Sequence, residues 1–246
     1  MKQKRKQRFF HKPISEKKNI VSLKGESAHY LTRVLRLKNG QSLILFDGSG
    51  TEWDCQIIHA TKHKVDVELL SKQSPKTESA LEITLLQSIS RSQRMDFVMQ
   101  KATELGVKKI IPMISQNTVV RFKESNLKNK MAHWKKIIIS AAEQSGRVKL
   151  PAIIKPIPFS EELLNEHKSP ESYFLDTTGD SGFSSKKISK TTIVVGPEGG
   201  FTFDEKQIAI DTGYKIVKTG PRLLRTETAP IMAISILQYL YGDFSN

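Results

Sequence analysis

Two loops in the C-terminal part of this chain concentrate residue types that can bind a ligand and work on it. In IVVGPEGGFTFDE, an apolar run ends in Gly196, Pro197, Glu198, Gly199 and Gly200. Glycines let backbone amides approach a ligand and accept positive φ, and Glu198 sets a carboxylate inside the loop. In TGPRLLRTETAP, Thr219 and Gly220 lead to Arg222 and Arg225, three apart, and then to Thr226, Glu227 and Thr228. A lone Gly-Gly is most simply a tight turn, and a threonine-rich helix start is most simply a cap. Two such loops, each with charged groups beside the glycine, point instead to a ligand site. Neither has the G-x-x-x-x-G-K-[ST] or G-x-G-x-x-G pattern, so a ligand without a pyrophosphate fits best.

Loops of this kind need rigid elements on either side. LEITLLQSI, KKIIPMI, PAIIKPI, ESYFLDTT, TTIVVGPEGG and YKIVKTG read as short apolar strands. RMDFVMQKATELG, NLKNKMAHWKKIIISAAEQSG, PFSEELLNEH, FDEKQIAIDTG and the last stretch read as helices. Met95, Val98, Met99, Ala102 and Leu105 share one face of the first helix, and Gly106 stops it. Thr202 and Glu205 have capping-box spacing. Pro230 falls in the first turn of the last helix, where it is tolerated. Apolar strands alternating with helices predict an α/β domain with a mostly parallel sheet buried on both faces. In open sheets of that class, ligands bind beyond the carboxyl ends of the strands. Leu175 and Asp176, at another strand end, complete the expected pocket.

The first 73 residues have a different pattern. QSLILFDG and KVDVELL alternate as strands, and SAHYLTRVLRL predicts one helix capped by Ser27 and stopped at Asn39-Gly40. Arg33 and Arg36 would then lie a turn apart and face the same way. The expectation is a small β-barrel carrying a basic helix. SKQSPKTES, residues 71 to 79, is polar and aperiodic and reads as a linker. It separates domains of residues 1–73 and 74–246. The formal net charge is +14, which favours a polyanionic partner because each neutralised phosphate releases a counterion. Lys4, Arg5 and Arg8 sit beside Phe9 and Phe10, a mixture suited to unpaired bases that stack on rings. Arg147, at the end of AEQSGR, suits the negative end of a helix dipole as well as an RNA contact.

Composition narrows the classes further. The 246 residues are 38% hydrophobic, with no run near the roughly 20 apolar residues of a membrane span. A single cysteine, Cys55, cannot close an internal disulfide, and a reducing cytoplasm is the simplest compartment. The six histidines show no helical pair and no cysteine partner, so no metal site is expected. Gly179-Asp180-Ser181-Gly182 spells a trypsin-like nucleophile motif, but in a polar loop of an α/β domain it reads as a turn.

RMDFVMQKATELGVKKIIP, AAEQSGR, VVGPEGGF and TGPRLLRTETA, in this order and spacing, closely resemble the bacterial RsmE family, ribosomal RNA small-subunit methyltransferases of the SPOUT superfamily. HYLTRVLRLKNG is similar to that family's N-terminal domain, so the resemblance covers nearly the whole chain. It implies a SPOUT-type parallel sheet with helices and a trefoil knot, preceded by a PUA-like RNA-binding β-barrel. It implies an S-adenosyl-L-methionine-dependent enzyme that methylates N3 of one uridine in 16S ribosomal RNA of the small ribosomal subunit, and a homodimer. Under this reading Gly196, Gly199, Gly200, Gly220, Leu223 and Leu224 surround the cofactor, together with Pro197, Glu198, Thr219 and Thr226. Arg225 would stabilise the uracil anion and Glu227 would accept the N3 proton. Arg91 and Arg94 lie in SRSQR, where many members carry a lysine-containing segment; with Arg33, Arg36 and Arg147 they are expected to contact RNA. A non-catalytic RNA-binding assembly factor would fit the charge and the barrel equally, but would not require paired glycine loops.

Overall fold

The computed structural model describes residues 6–12, 14, 19–120, 124–184 and 186–245. Lys4 and Arg5 lie outside the described residues. The chain forms two compact units, Met1–Glu78 with Ala142–Lys149, and Ser79–Ala141 with Leu150–Asn246.

The first unit contains strands β1 (Gln7–Phe10), β2 (Ile20–Lys24), β3 (Ser42–Phe46), β4 (Glu52–Ala60) and β5 (Lys64–Gln73), with the short helix α1 (Glu26–His29). The sheet order is β1-β3-β4-β5-β2. Only β1 and β3 pair parallel; the other neighbours are antiparallel. Period-two alternation sends Leu43 and Leu45 of β3, Trp53, Cys55 and Ile57 of β4, and Val65 and Val67 of β5 into one core with Leu23 and Leu31. Burial pushes the Cys55 thiol up to about 12, so this cysteine packs as a small apolar group.

Local chemistry departs from the sequence expectation here. The predicted helix is one short α turn followed by a π turn over Tyr30–Val34. Gly25, at φ 61, opens it without a side-chain cap, and Ser27 lies inside the helix rather than capping it. Arg36 has φ 54, the one non-glycine residue at positive φ among those described. It lies past the helix, so Arg33 and Arg36 do not share a helical face. QRFF forms an edge strand with Phe9 buried, which removes that ring from stacking on a base. Ser71–Gln73 of the expected linker extend β5.

The second unit contains β6 (Glu82–Ser88), α2 (Ser92–Glu104), β7 (Lys109–Ile114), α3 (Glu124–Ser145), β8 (Ala152–Ile153), β9 (Ile157–Pro158), α4 (Glu161–Glu166), β10 (Glu171–Leu175), β11 (Lys190–Val195), α5 (Phe203–Asp211), β12 (Lys215–Val217) and α6 (Thr228–Tyr241). The sheet order is β12-β10-β11-β6-β7-β8, with β9 also on β7, and every pair is parallel. Alternation along the strands builds two apolar layers. Leu85, Ile110, Tyr173, Ile193 and Val195 face one layer with Met95, Val98 and Met99 of α2 and Ile234 and Leu237 of α6. Leu86, Ile111, Phe174 and Val194 face the other with Leu163 and Leu164 of α4 and Ala209 of α5. Each such side chain, fully buried, contributes about 1.5–3 kcal/mol. Gly106 ends α2 at φ 85, as its position predicts. Thr103, which the periodicity leaves out, is buried because its hydroxyl donates to the Met99 carbonyl at 2.7 Å.

Candidate active site at the strand ends

Parallel strands bring their carboxyl ends to one side of the sheet, and the loops leaving β10, β11 and β12 enclose a cavity of about 580 Å³ there. The β11 loop contributes Gly196, Pro197, Glu198, Gly199 and Gly200; the β12 loop contributes Thr219, Gly220, Leu223, Leu224, Arg225 and Thr226. Leu175 and Asp176 supply the third wall. All twelve residues expected to surround a cofactor therefore meet in one place, with Arg225 beside them.

Hydrogen bonds explain why these loops hold their shape. The Thr226 hydroxyl donates to the Gly196 carbonyl at 2.7 Å and accepts from Gln87 Nε2 at 3.2 Å. Gln87 is fully buried at the end of β6, so one hydroxyl ties both loops to a third strand. The loop after β7 braces the glycines from the other side: Asn117 Nδ2 donates to the Gly200 carbonyl at 3.1 Å. The Thr202–Glu205 capping box forms as expected, and the second Glu205 oxygen accepts the Gln116 amide at 2.8 Å. Gln87 and Asn117 are site-building residues that motif reading passes over. The signal for Gln87 is an amide at the end of an otherwise apolar strand.

The glycines serve different ends. A Cβ on Gly196 would lie 3.0 Å from the Phe201 ring, so that position is set by packing. Gly200 and Gly220 have φ 70 and 93, and nothing lies within 4 Å of where a Cβ would project. Two open, glycine-walled positions beside backbone amides form a cradle that fits a ligand bound through main-chain groups. Leu223 is 82% exposed on the wall, an apolar surface suited to covering such a ligand.

Asp176 is engaged already. Burial opposes its charge, but the Thr178 hydroxyl at 2.6 Å, the Thr178 amide at 2.9 Å and the Lys206 ammonium at 3.2 Å together hold the carboxyl below its ordinary value. Arg225 is exposed, and its carbonyl accepts the Thr228 and Ala229 amides at 2.9 and 3.0 Å, so α6 fixes the backbone that carries it. Glu227 occupies the N-cap position of α6 without capping it; Thr226 and Ala229 beside it line the cavity, and Glu227 itself is not among the lining residues. Gly179-Asp180-Ser181-Gly182 is a packed turn: a Cβ on Gly179 would lie 2.6 Å from the Ile216 carbonyl oxygen.

Residues 77–238 match the RNA methyltransferase domain family, and residues 23–70 match the RNA methyltransferase PUA domain. A ribosomal RNA small subunit methyltransferase E from Buchnera aphidicola is 34% identical over 98% of this chain and 99% of its own length. The chain belongs to the ribosomal RNA small-subunit methyltransferase E family. The Bacillus subtilis member is 30% identical, over 96% of this chain and 99% of its own. A crystal structure of the Neisseria gonorrhoeae member bound to S-adenosyl methionine superposes with a TM-score of 0.85 at 35% identity, covering 97% of this chain and 99% of that one. A Legionella pneumophila methyltransferase structure in complex with the cofactor SAM gives 0.92 at 33% identity, covering 98% and 100%.

In this family member the basic residues divide sharply. Arg33, Arg36 and Arg91 are exposed. Arg33 lines a separate concavity in the first unit with Lys38 and Lys62. Arg8 and Arg147, expected on RNA, are structural. The Arg8 side chain is 8% exposed, ion-paired with Glu52, and donates to the Arg147 carbonyl at 3.0 Å. Arg147 is buried and bonds Glu78 at 2.7 Å. Neither guanidinium reaches a surface where a phosphate could meet it. Arg94 lines the cavity instead, with Nη1 2.8 Å from Glu198 Oε1.

Proposed function

We propose that this protein transfers a methyl group from S-adenosyl-L-methionine to N3 of a uridine in 16S ribosomal RNA. Membership of the small-subunit methyltransferase E family supports the reaction class, and the cavity enclosed by the two loops carries the reading. Main-chain groups of residues 196–200 and 219–224, braced by Thr226, would hold the cofactor, with Leu175 and Asp176 opposite. When bound, it supplies an electrophilic methyl group whose sulfonium leaves as a neutral thioether as the N3–C bond forms.

The residues of this chain have three tasks. The first is positioning, which can supply several kcal/mol when reacting atoms are aligned. The second is charge. Uracil N3 lies between two carbonyl groups, so its anion spreads onto both oxygens, and the planar Arg225 fork can donate to them in fixed geometry. The third is the proton: the N3–H bond breaks, its electron pair forms the bond to carbon, and the Glu227 carboxylate takes the proton and later returns it to water. Arg33, Arg36 and Arg91, with Lys4 and Arg5, hold RNA phosphates. The same reading makes the working enzyme a knotted homodimer in the cytoplasm; exposed Ile236, Tyr239 and Leu240 on α6 support a covered face.

The test is to incubate the protein with 16S RNA and S-adenosyl-L-methionine and map the product. One N3-methyluridine is expected, with cofactor binding visible by calorimetry. Absence of cofactor binding, or a methyl group on a ribose or another base, would sink the proposal.

A further inference from the structure

Arg94 rises from the first turn of α2 between two carboxylates. Its Nη1 donates to Glu198 Oε1 at 2.8 Å, and its Nε lies 3.7 Å from Glu227 Oε2. Glu227 Oε2 is buried and accepts no hydrogen bond among the described residues. Leaving a buried carboxylate oxygen without a donor is unfavourable. A cation at 3.7 Å offsets this through its charge while standing outside hydrogen-bond reach. Arg94 is thus the cation that steadies this carboxylate.

We propose that Arg94 is a positioning residue, anchored by Glu198 of the glycine loop, that orients the Glu227 carboxylate toward the N3 proton of the target uracil. The proposal rests on the reading of Glu227 as proton acceptor. A guanidinium with one arm fixed presents its other nitrogens in a set direction. Because Glu198 belongs to the loop that would hold the methyl donor, that loop also aims the cation that orients the acceptor. Both partial exposure and length make these ion pairs weak in stability terms; what they supply is direction. Assigning Arg94 to an RNA phosphate instead would require it to leave both carboxylates.

The full-length protein, Arg94→Gln, Arg94→Lys, Glu227→Gln and the Arg94→Gln/Glu227→Gln double variant are compared by single-turnover methyl transfer from roughly pH 7 to 10. Cofactor affinity is measured by calorimetry, and RNA affinity across a salt titration. Arg94→Gln should slow transfer about tenfold or more at neutral pH, and the deficit should shrink as pH rises, because uracil N3 then loses its proton to solvent without help. Arg94→Lys should recover part of the rate. Adding Arg94→Gln to Glu227→Gln should cost nothing further, since both act on one step. Cofactor affinity should stay within about threefold and the RNA salt slope should not change. A deficit independent of pH, or a slope reduced by about one, makes Arg94 a phosphate contact and overturns the proposal. If Glu227→Gln is impaired and Arg94→Gln is not, the positioning role alone falls. If Glu227→Gln transfers at the normal rate, the proton-acceptor reading fails and takes this proposal with it.

Discussion

Arg8 in the first unit and Arg94 in the second each pair with glutamate, yet they do opposite work. The Arg8 side chain is only 8% exposed, pairs with Glu52 and bonds a main-chain carbonyl; its charge is locked into the architecture. Arg94 is 37% exposed, lines a cavity, and stands off Glu227 by 3.7 Å. The lesson is that a net charge of +14 overstates the surface available to RNA. Burial, not residue type, decides which cations are structural and which face a ligand. In the first unit, Arg33, Lys38 and Lys62 instead surround an open concavity.

The comparison can be broken most decisively at Arg225. Arg225→Ala should slow single-turnover methyl transfer about 10²–10³-fold, the range for removing one preorganised donor to a developing anion. Cofactor affinity, measured in parallel by calorimetry, should stay within about threefold. Equal losses in both would make the second loop a cofactor wall only. Arg8→Ala should give the converse result. It leaves Glu52 buried and unpaired, costing about 3 kcal/mol in urea unfolding. The slope of RNA affinity against salt should not move, and a reduced slope would return Arg8 to the RNA surface.

Thr226→Val tests the seam between the loops. It orphans the Gly196 carbonyl and leaves the Gln87 amide with its bond to the Ser88 carbonyl alone, and should cost about 1–3 kcal/mol in stability and weaken cofactor binding in calorimetry. Undiminished affinity would mean the loops hold their form without the threonine. Arg33→Ala sharpens the comparison with a smaller effect: the RNA salt slope should fall by about one while the unfolding free energy stays within about 0.5 kcal/mol. The smallest effect concerns acid. The folded carboxyl of Asp176 is held below its ordinary value. The stability it contributes is therefore present above the unfolded value of about 3.9 and is lost as pH falls through the lowered folded value. Unfolding followed from about pH 5 downward should show a shallower decline in Asp176→Asn; an identical decline would remove Asp176 from the acid response.

The legible parts of the sequence were those set by short-range periodicity. Strands buried on both faces read as continuous apolar runs, and β6, β7, β10, β11 and β12 all appear where TLL, II, YFL, IVV and KIV stand. The Thr202–Glu205 box needs only local spacing and forms as read. PAIIKPI, read as one strand, is two two-residue strands parted by Ile154, Lys155 and Pro156, since proline lacks the donor to continue a ladder. What stayed hidden depends on distant partners. Phe9 is buried because residues 7–10 pair with residues 43–46. Arg94 belongs to the site through Glu198, 104 positions away. Neither pairing leaves a local trace. The glycine loops could be found because both ends of each are marked, by an apolar run before and a helix start after.

The Thr226 hydroxyl also sets how the site breathes. With Gln87 and Gly196 on the same oxygen, the segments 196–200 and 219–226 cannot open one at a time without breaking that junction. They share one opening equilibrium, and amide exchange in the two should rise and fall together. A ligand that protects either loop then slows exchange in both, which makes them a single cooperative unit joined by a hydrogen bond across 30 positions of the chain.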